Sequence, residues 1–387
     1  MMLRPGWWIA LLLLALSGCY VSLDTDTDYD RRLSLHELFQ PVRWDDTLAV
    51  GGTDQMADSL FRYLQAHEGF SGTVLAASGG RILHTGAYGY ANEDTHDTLT
   101  LNSVFQLASV SKIFTATAVL LLYEQGRLRL DDPVEAYLPG FPYPEITIRM
   151  LLHHRSGLPL YMHFARTDWL PDTLMTCLDV ADHFRRLHPR LKFAPGTAYE
   201  YNNSNYALLA AVVTHAACMP FETFVTEHIF EPLGMHHTWY ADHVTRMQRP
   251  HATVGYRKNG KSYEVAGGDF LDGVMGDKGL HSNLADLYTF DRALAQGVLL
   301  QTSSLELAYT PGSPERAVFN YGMGWRINTA YPGVIFHFGW WRGYRTCFIR
   351  NVWQDHTLII LSNRDNLEKN IDYWRVYQLI FGWNQTV

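Results

Sequence analysis

The chain has 387 residues, of which 47% are hydrophobic and 18% charged, and its formal net charge is −8. This length and composition predict a globular protein with a large hydrophobic core and argue against intrinsic disorder. An acidic balance without basic runs argues against binding to nucleic acid or to anionic lipid head groups.

The N-terminus carries the features of an export signal. Arg4 supplies a positive charge, and the run from Trp7 to Leu16 is apolar but too short to span a bilayer. The following Leu16-Ser17-Gly18-Cys19 resembles the lipobox of bacterial lipoproteins, in which cleavage leaves an acylated cysteine at the new N-terminus. We therefore expect residues 1–18 to be a lipoprotein signal peptide and Cys19 to attach the protein to a membrane through its lipid. An ordinary signal peptide with an incidental cysteine is the alternative.

The next segment, residues 19–50, is expected to be an acidic tether between membrane and domain. Its first part, from Tyr20 to Asp30, is polar and acidic and has no apolar periodicity. Together with the lipobox, this predicts a lipid-anchored protein of the bacterial cell envelope, either periplasmic or associated with the outer membrane.

The early part of the domain combines a helix, a hairpin and a second helix. Asp54–Ala66 has the periodicity of an amphipathic helix. Two apolar runs, Gly72–Ala77 and Arg81–Tyr88, flank Ser78-Gly79-Gly80 and predict a β-hairpin. A long helical pattern then starts at Ser109.

The middle and the end of the chain differ in character. Residues from about 127 to 300 are mostly helical in period, with clear helices at Leu208–His215 and Asp286–Ala295. The later stretches Tyr321–Ile327, Gly333–Phe338, Tyr344–Arg350 and Thr357–Ser362 predict four strands, and Asp372–Phe381 predicts a last helix. The simplest arrangement is an α+β fold whose single antiparallel sheet contains strands from both chain ends, with a helical region inserted between them.

Ser109-Val110-Ser111-Lys112 is a candidate catalytic motif with the spacing S-x-x-K. A serine hydroxyl is a weak nucleophile that needs a neighbouring base. Residues three apart on a helix share one face, so Lys112 can reach the oxygen of Ser109. A helix N-terminus also favours a developing oxyanion. Because roughly one S-x-x-K arises by chance in a chain of this length, the surrounding sequence has to decide.

Phe105–Ala116 resembles the nucleophile helix of the serine β-lactamase and penicillin-binding-protein superfamily, in particular the class C β-lactamase-related group of DD-peptidases, D-amino-acid peptidases and esterases. Leu151–Pro159, Phe193–Leu209 and Glu231–Met235 resemble further phrases of that group in the same order, so the resemblance covers about residues 50–385. It implies a β-lactamase-like fold, with residues 51–387 as the catalytic domain and a helical subdomain at about 127–300.

The resemblance also implies a role for each site residue. Tyr201, in the Y-x-N motif Tyr201-Asn202-Asn203, would relay a proton to the leaving group, and Asn203 would hydrogen-bond the acyl side chain of the substrate. His337-Phe338-Gly339 would be the third motif, on a strand that lines the cleft. The backbone N–H of Trp340 would form the oxyanion hole with that of Ser109. A glycine at position 339 allows a close approach to the backbone, which we attribute to the substrate.

Other stretches also match these motifs. Tyr90-Ala91-Asn92 fits Y-x-N, while His84-Thr85-Gly86 and His67-Glu68-Gly69 fit H-x-G, but all three precede Ser109. Lys258-Asn259-Gly260 fits the K-x-G form of the third motif, although Asn-Gly between charged residues is typical of a hairpin turn.

The distribution of cysteine and histidine predicts neither a metal site nor a disulfide framework. Cys177, Cys218 and Cys347 lack CxxC spacing, so we expect buried free thiols, with a single bridge as the alternative. None of the 18 histidines has the spacing of a zinc site. We expect no metal or organic cofactor, and the sequence leaves the oligomeric state open.

These features predict a serine hydrolase that forms an acyl-enzyme with an extracytoplasmic amide or ester, such as a D-amino-acid peptide or a peptidoglycan stem. The third motif of β-lactamases usually begins with lysine, and His337 is a weaker anchor for a substrate carboxylate, so strong β-lactamase activity is not expected. Two alternatives stay open, a carboxylesterase for small esters and a cell-wall-binding lipoprotein without catalysis.

Overall fold

The computed structural model describes residues 52–169, 173–316, 318–365 and 371–382. The predicted signal peptide 1–18, the lipidation site Cys19 and the tether 19–50 lie outside the described residues.

The secondary structure alternates between short strands and helices. In chain order the strands are β1 (Gly72–Ser78), β2 (Arg81–Tyr88), β3 (Tyr90–Asn92), β4 (Asp97–Thr98), β5 (Phe105–Gln106), β6 (Trp239–Tyr240), β7 (Tyr256–Asn259), β8 (Ser262–Val265), β9 (Leu280–Ser282), β10 (Phe319–Tyr321), β11 (Arg326–Asn328), β12 (Val334–Trp341), β13 (Tyr344–Asn351) and β14 (His356–Ser362). The α-helices are α1 (Gly52–Glu68), α2 (Ser111–Glu124), α3 (Ile148–Leu152), α4 (Tyr161–Asp168), α5 (Cys177–Leu187), α6 (Asn203–Ala217), α7 (Phe221–Val225), α8 (Glu231–Leu233), α9 (Leu284–Ala295), α10 (Thr302–Tyr309) and α11 (Tyr373–Phe381).

Strands from both chain ends form one antiparallel sheet of seven strands, in the order β10-β11-β12-β13-β14-β1-β2. The junction lies between β14 and β1, where Val74 faces Ile360. All eight residues of β13 are buried, as expected for a strand covered on both faces. The predicted sheet of mixed origin is therefore confirmed.

The two faces of the sheet pack against different helices. Phe61 of α1 and Tyr377 of α11 share a core cluster with Phe336 on one face. The neighbouring Ile335 belongs to the other cluster, which contains α2. Since side chains alternate along a strand, His337 and Gly339 of β12 point to the face that carries α2.

Two helices in the middle of the molecule form the support of this second face. From Ser111 to Leu122, α2 is buried all round, and α6 is buried from Ser204 to Val213. Apart from a few polar side chains, among them Lys112, both helices are apolar on all sides, as a central core helix has to be.

The predicted strand Tyr321–Ile327 is wrong in part, because β10 and β11 are two short strands joined by a turn. At the turn, Gly324 has φ +81°. A Cβ atom there would lie 2.7 Å from the Cβ of Ala116. Close packing against α2 therefore makes the chain reverse, and only glycine fits that approach.

Residues 127–300 contain helices α3 to α9 together with the short strands β6 to β9. The rival motif at Lys258 lies at the hairpin between β7 and β8, where Asn259 faces Ser262, as the Asn-Gly signal predicted. Among the described residues no single helix is long and apolar enough to cross a membrane. Only the bent pair Asn203–Ala217 and Phe221–Leu233 has, as a pair, the length and composition of a membrane span. Cys177 and Cys347 are buried free thiols, as expected, whereas Cys218 is exposed, so the expectation of a buried thiol is wrong there.

Candidate active site

Ser109 and Lys112 face each other at the start of α2. The Nζ atom of Lys112 lies 3.0 Å from the Oγ atom of Ser109. On its other side, Nζ donates to the carbonyl oxygen of Asp277 at 2.7 Å. Lys112 is fully buried, and no described carboxylate forms an ion pair with it. A lysine held in this way can exchange a proton with the serine oxygen.

The turn that carries Ser109 is held from two sides. It is a short 3₁₀ turn, Ala108–Val110, in which Ala108 has φ +50°. The N–H of Leu107 donates to the carbonyl of Leu280 at 2.7 Å, and the carbonyl of Leu107 accepts from Thr346 Oγ1 at 2.7 Å. Because both neighbours hold the backbone before Ser109, the surroundings maintain the unfavourable φ of Ala108.

Tyr201 and Asn203 come from the segment that leads into α6. The Nζ of Lys112 lies 5.1 Å from the centroid of the Tyr201 ring, so the structure brings these two predicted residues together. Asn202 caps α6 by accepting from the N–H of Ser204. The Oδ1 atom of Asn203 is buried without a hydrogen-bond partner in the described part of the chain, which leaves an acceptor for a ligand.

His337 is fully buried and neutral. Its Nδ1 lies 2.9 Å from the carbonyl oxygen of Phe338, which can only accept, and its Nε2 lies 3.1 Å from the Tyr321 hydroxyl. Burial, followed by the charges of Arg326 and Lys112, lowers the pKa of His337 well below its usual value. Both ring nitrogens are therefore engaged with the protein, and the imidazole carries no charge for a substrate anion.

Gly339 lies against the turn that carries Ser109. A Cβ atom at this position would lie 2.3 Å from the carbonyl oxygen of Leu107 and 3.1 Å from the Cβ of Ala108. The close approach that we attributed to the substrate is thus already made by the protein's own backbone.

The backbone N–H of Trp340 faces away from β13. The turn Arg342-Gly343 has positive φ at both residues and joins the facing pair Trp341 and Tyr344. A two-residue turn of this kind closes a hydrogen-bonded pair, and such pairs alternate along the ladder. The N–H of Trp340 therefore points to the other edge of β12. That edge is open at Trp340, because β11 pairs with β12 no further than Phe336. The side chain of Trp340 is 59% exposed.

Three residues near this site were missed by the sequence analysis: Arg326, Asp277 and His154. The guanidinium of Arg326 lies 4.6 Å from the centroid of the Tyr201 ring, and its Nε is buried without a partner among the described residues. Asp277 supplies the carbonyl that binds Lys112. His154 packs its ring 4.5 Å from that of Tyr201. None of them falls in a motif that the residue pattern singled out, and the phrase Leu151–Pro159 was the only signal for His154.

The rival motifs lie elsewhere. His84 is on β2, where it pairs with Asp54 of α1 at 2.6 Å, on the sheet face opposite α2. Tyr90–Asn92 is the small strand β3, and His67 is exposed in the last turn of α1. In the part of the chain that the structure describes, no group of three or more His, Cys, Asp or Glu is arranged to hold a metal ion.

Comparison with known proteins decides the family. Residues 57–380 match the family model described as Beta-lactamase. The chain belongs to the β-lactamase family. Within it, the chain is 37% identical to penicillin-binding protein 4* of Bacillus subtilis (strain 168) over 320 residues, which are 79% of this chain and 71% of that protein.

Solved structures of this β-lactamase family agree with the fold. A penicillin-binding protein from Bacillus halodurans has a TM-score of 0.72 and 25% identity and covers 83% of this chain and 98% of its own. A D-stereospecific amidohydrolase from Streptomyces sp. has a TM-score of 0.68 and 25% identity and covers 86% of this chain and 100% of its own. The predicted α+β fold of the β-lactamase type is confirmed, and the chain is a β-lactamase-related serine hydrolase.

Proposed function

We propose that this hydrolase acts through an acyl-enzyme on extracytoplasmic peptides that end in a D-amino acid, such as a peptidoglycan stem, as a DD-peptidase does. The observation that carries the proposal is the 3.0 Å contact between Nζ of the fully buried Lys112 and Oγ of Ser109, which is only partly buried. Two of the similar proteins, a penicillin-binding protein and a D-stereospecific amidohydrolase, bear names that fit this chemistry.

The first half of the reaction transfers the acyl group to the enzyme. Lys112 takes the proton of Ser109 while Oγ attacks the scissile carbonyl carbon. The N–H groups of Ser109 and Trp340 stabilise the oxyanion of the tetrahedral intermediate. When the C–N bond breaks, Tyr201 donates a proton to the leaving amine and recovers one from Lys112. The Ser109 ester then remains.

In the second half, water attacks this ester, Lys112 takes the proton of the water, and Lys112 returns it to the serine oxygen as that oxygen leaves. The acid product and the free enzyme result. Asn203 Oδ1 accepts from an amide N–H of the acyl part of the substrate, since this buried oxygen otherwise has no described partner.

A cation beside the catalytic residues supports a substrate with a free carboxylate. Since His337 is neutral, it does not replace the lysine that β-lactamases carry in the third motif. Arg326, on the neighbouring strand β11, has its guanidinium over the Tyr201 ring and no ion-pair partner among the residues described. Arginine is well suited to a carboxylate because its planar fork makes two parallel hydrogen bonds.

Active-site labelling tests the proposal. The wild-type protein should react with a fluorescent penicillin or a fluorophosphonate at Ser109, and Ser109→Ala should not. Equal labelling of both proteins would refute the mechanism. Comparison of a D-Ala-D-Ala peptide with p-nitrophenyl acetate then separates a peptidase from an esterase. Peptide binding by the pure protein without any hydrolysis would indicate a cell-wall-binding module.

We also propose that Cys19 anchors the enzyme in the bacterial cell envelope, which brings the active site to peptidoglycan. The support is the lipobox after an apolar run. Metabolic labelling with an alkyne-tagged palmitate should mark the wild-type protein but not Cys19→Ser. Labelling of both would contradict the anchor without affecting the catalytic proposal.

A further inference from the structure

We propose that His154 is a positioning residue that holds Tyr201 in place by binding the main chain on both sides of it. This inference rests on the proton-relay role proposed for Tyr201. Tyr201 needs such a support because it belongs to neither a helix nor a strand. It lies in the irregular segment between the end of α5 at Leu187 and the start of α6 at Asn203.

The main-chain contacts of His154 bracket Tyr201. The carbonyl oxygen of His154 accepts from the N–H of Glu200 at 3.0 Å. Its Nδ1 accepts from the N–H of Asn202 at 3.2 Å. Glu200 and Asn202 are the two neighbours of Tyr201, so one residue fixes the peptide groups before and after the relay.

The ring of His154 contacts the relay directly. Its centroid lies 4.5 Å from that of Tyr201 and 4.5 Å from that of Tyr321. The side-chain amide of Asn205 donates to His154 Nδ1 at 3.0 Å, while its Oδ1 accepts from Ser156 at 2.6 Å. Hydrogen bonds at the edge of the His154 imidazole and ring contacts at its face therefore fix its position, and the imidazole in turn restricts the position of the Tyr201 ring.

The backbone of His154 is adapted to this task. Its φ is +57°, in the left-handed region that favours glycine and that Asn, Asp and His adopt more often than other residues, and the residue is fully buried. Such conformations persist only where the surroundings enforce them. Since Nδ1 accepts from two N–H donors, the ring is neutral with its proton on Nε2, and burial beside Lys112 lowers the pKa of His154 well below its usual value.

Two substitutions separate the acceptor from the backbone conformation. His154→Gly adopts the positive φ without strain but lacks the acceptor for Asn202. His154→Asn tolerates the same φ, and its Oδ1 can take the place of Nδ1. Each variant is assayed on a D-Ala-D-Ala peptide, whose amine must be protonated to leave, and on p-nitrophenyl acetate, whose phenolate leaves without a proton.

If His154 positions the proton relay, His154→Gly should lower kcat for the peptide about 100-fold and kcat for the ester less than about 5-fold, as general acid catalysis typically contributes 10²–10⁴-fold. Tyr201→Phe should show the same selectivity. The double variant His154→Gly/Tyr201→Phe should be no slower on the peptide than Tyr201→Phe alone, because the effects of substitutions in residues that act as a unit are not additive. His154→Asn should recover about 10-fold of the loss on the peptide.

A purely structural role would give a different pattern. Equal losses on peptide and ester, or additive effects in the double variant, would overturn the inference. If His154→Gly does not fold, Asn205→Ala removes one donor to Nδ1 and should lower only peptide turnover, by about 5-fold; an unchanged ratio of peptide to ester turnover would likewise overturn it. If Tyr201→Phe itself lacks the selectivity, the relay role in the proposed function fails first.

Discussion

Gly339 of the predicted third motif touches the carbonyl oxygen of Leu107, two residues before Ser109: a Cβ atom at position 339 would lie 2.3 Å from that oxygen. The strand that carries the Trp340 N–H and the turn that carries Ser109 are thus in backbone contact. Because this contact sets the spacing of the two proposed oxyanion donors, glycine serves the geometry of the site before any substrate arrives.

We expect Gly339→Ala to disable the enzyme more than it unfolds it. The added methyl group forces Leu107 and Ser109 away from β12, which moves an oxyanion donor whose loss typically lowers kcat about 100-fold or more. Overpacking of this kind destabilises a protein by about 1–3 kcal/mol. Acylation by a fluorescent penicillin and a thermal melt measure the two effects. Gly267→Ala is the matched control, since a Cβ atom there meets nothing within 4 Å. Wild-type acylation of Gly339→Ala would refute the argument.

The buried ion pair behind the site gives a second prediction. Lys278 Nζ lies 3.3 Å from Asp277 Oδ1 and 2.9 Å from the Tyr161 hydroxyl, and the pair is almost inaccessible to solvent. Lys278→Met leaves the carboxylate of Asp277 buried and uncompensated, so the free energy of unfolding should fall by about 3–5 kcal/mol.

The controls for this prediction use the partner and a surface pair. The double variant Asp277→Asn/Lys278→Met should be more stable than Lys278→Met alone, because no buried charge remains. Lys192 pairs with Glu200 at the surface, and Lys192→Met should change the free energy of unfolding by about 1 kcal/mol or less. Urea denaturation measures all three variants, and equal effects of Lys192→Met and Lys278→Met would contradict the prediction.

The third prediction concerns Arg326 as the carboxylate anchor. Arg326→Gln should lower kcat/KM for a peptide with a free C-terminal carboxylate about 30-fold, in the range expected for a lost hydrogen bond to a charged group. Turnover of the same peptide as its C-terminal amide should change less than about 3-fold. Arg316, whose guanidinium lies 4.5 Å from the Tyr199 ring, gives a matched control, and Arg316→Gln should leave both activities intact. Parallel losses on acid and amide would show that Arg326 does not bind the carboxylate.

The contact between Ser109 and Lys112 was predictable from the sequence because its geometry is local. Lys112 follows Ser109 by three residues at the start of a helix, which brings the two side chains within reach of each other, and the structure has that contact. The early hairpin, the Asn-Gly turn and the late strands were also predictable, since each depends on a short run of apolar and turn residues. Tyr201 and His337 came from the resemblance alone, because no local pattern links residues this far apart.

What the sequence did not predict depends on tertiary contacts. The turn at Gly324 replaces a predicted strand because α2 lies against it. The neutrality of His337 follows from burial and from Arg326, which comes from another strand. His154 stands in a family phrase, yet its role becomes visible only where Glu200 and Asn202 fold back onto it.

Buried histidines should make the enzyme sensitive to mild acid. Burial lowers the pKa of His153 to about 4 and that of His281 to about 3, whereas an unfolded chain titrates near 6.5. Below pH 6.5 the unfolded state therefore binds more protons than the folded state, and stability rises with pH through the window from about 4 to 6.5. At pH 4.5 each of these two histidines should lower the free energy of unfolding by about 2–3 kcal/mol relative to pH 7.5.

Urea denaturation between pH 4.5 and pH 7.5 measures this slope. Burial raises the pKa of Asp286, so this carboxyl group stabilises the folded state as the pH falls, but it is a single group against several histidines. His281→Gln removes one titrating ring, so the stability of this variant should depend less steeply on pH. A free energy of unfolding that stays constant from pH 7.5 to pH 4.5 would show that the buried rings are not neutral in the folded enzyme. If the free energy of unfolding falls as steeply with pH in His281→Gln as in the wild type, groups other than His281 cause the acid sensitivity.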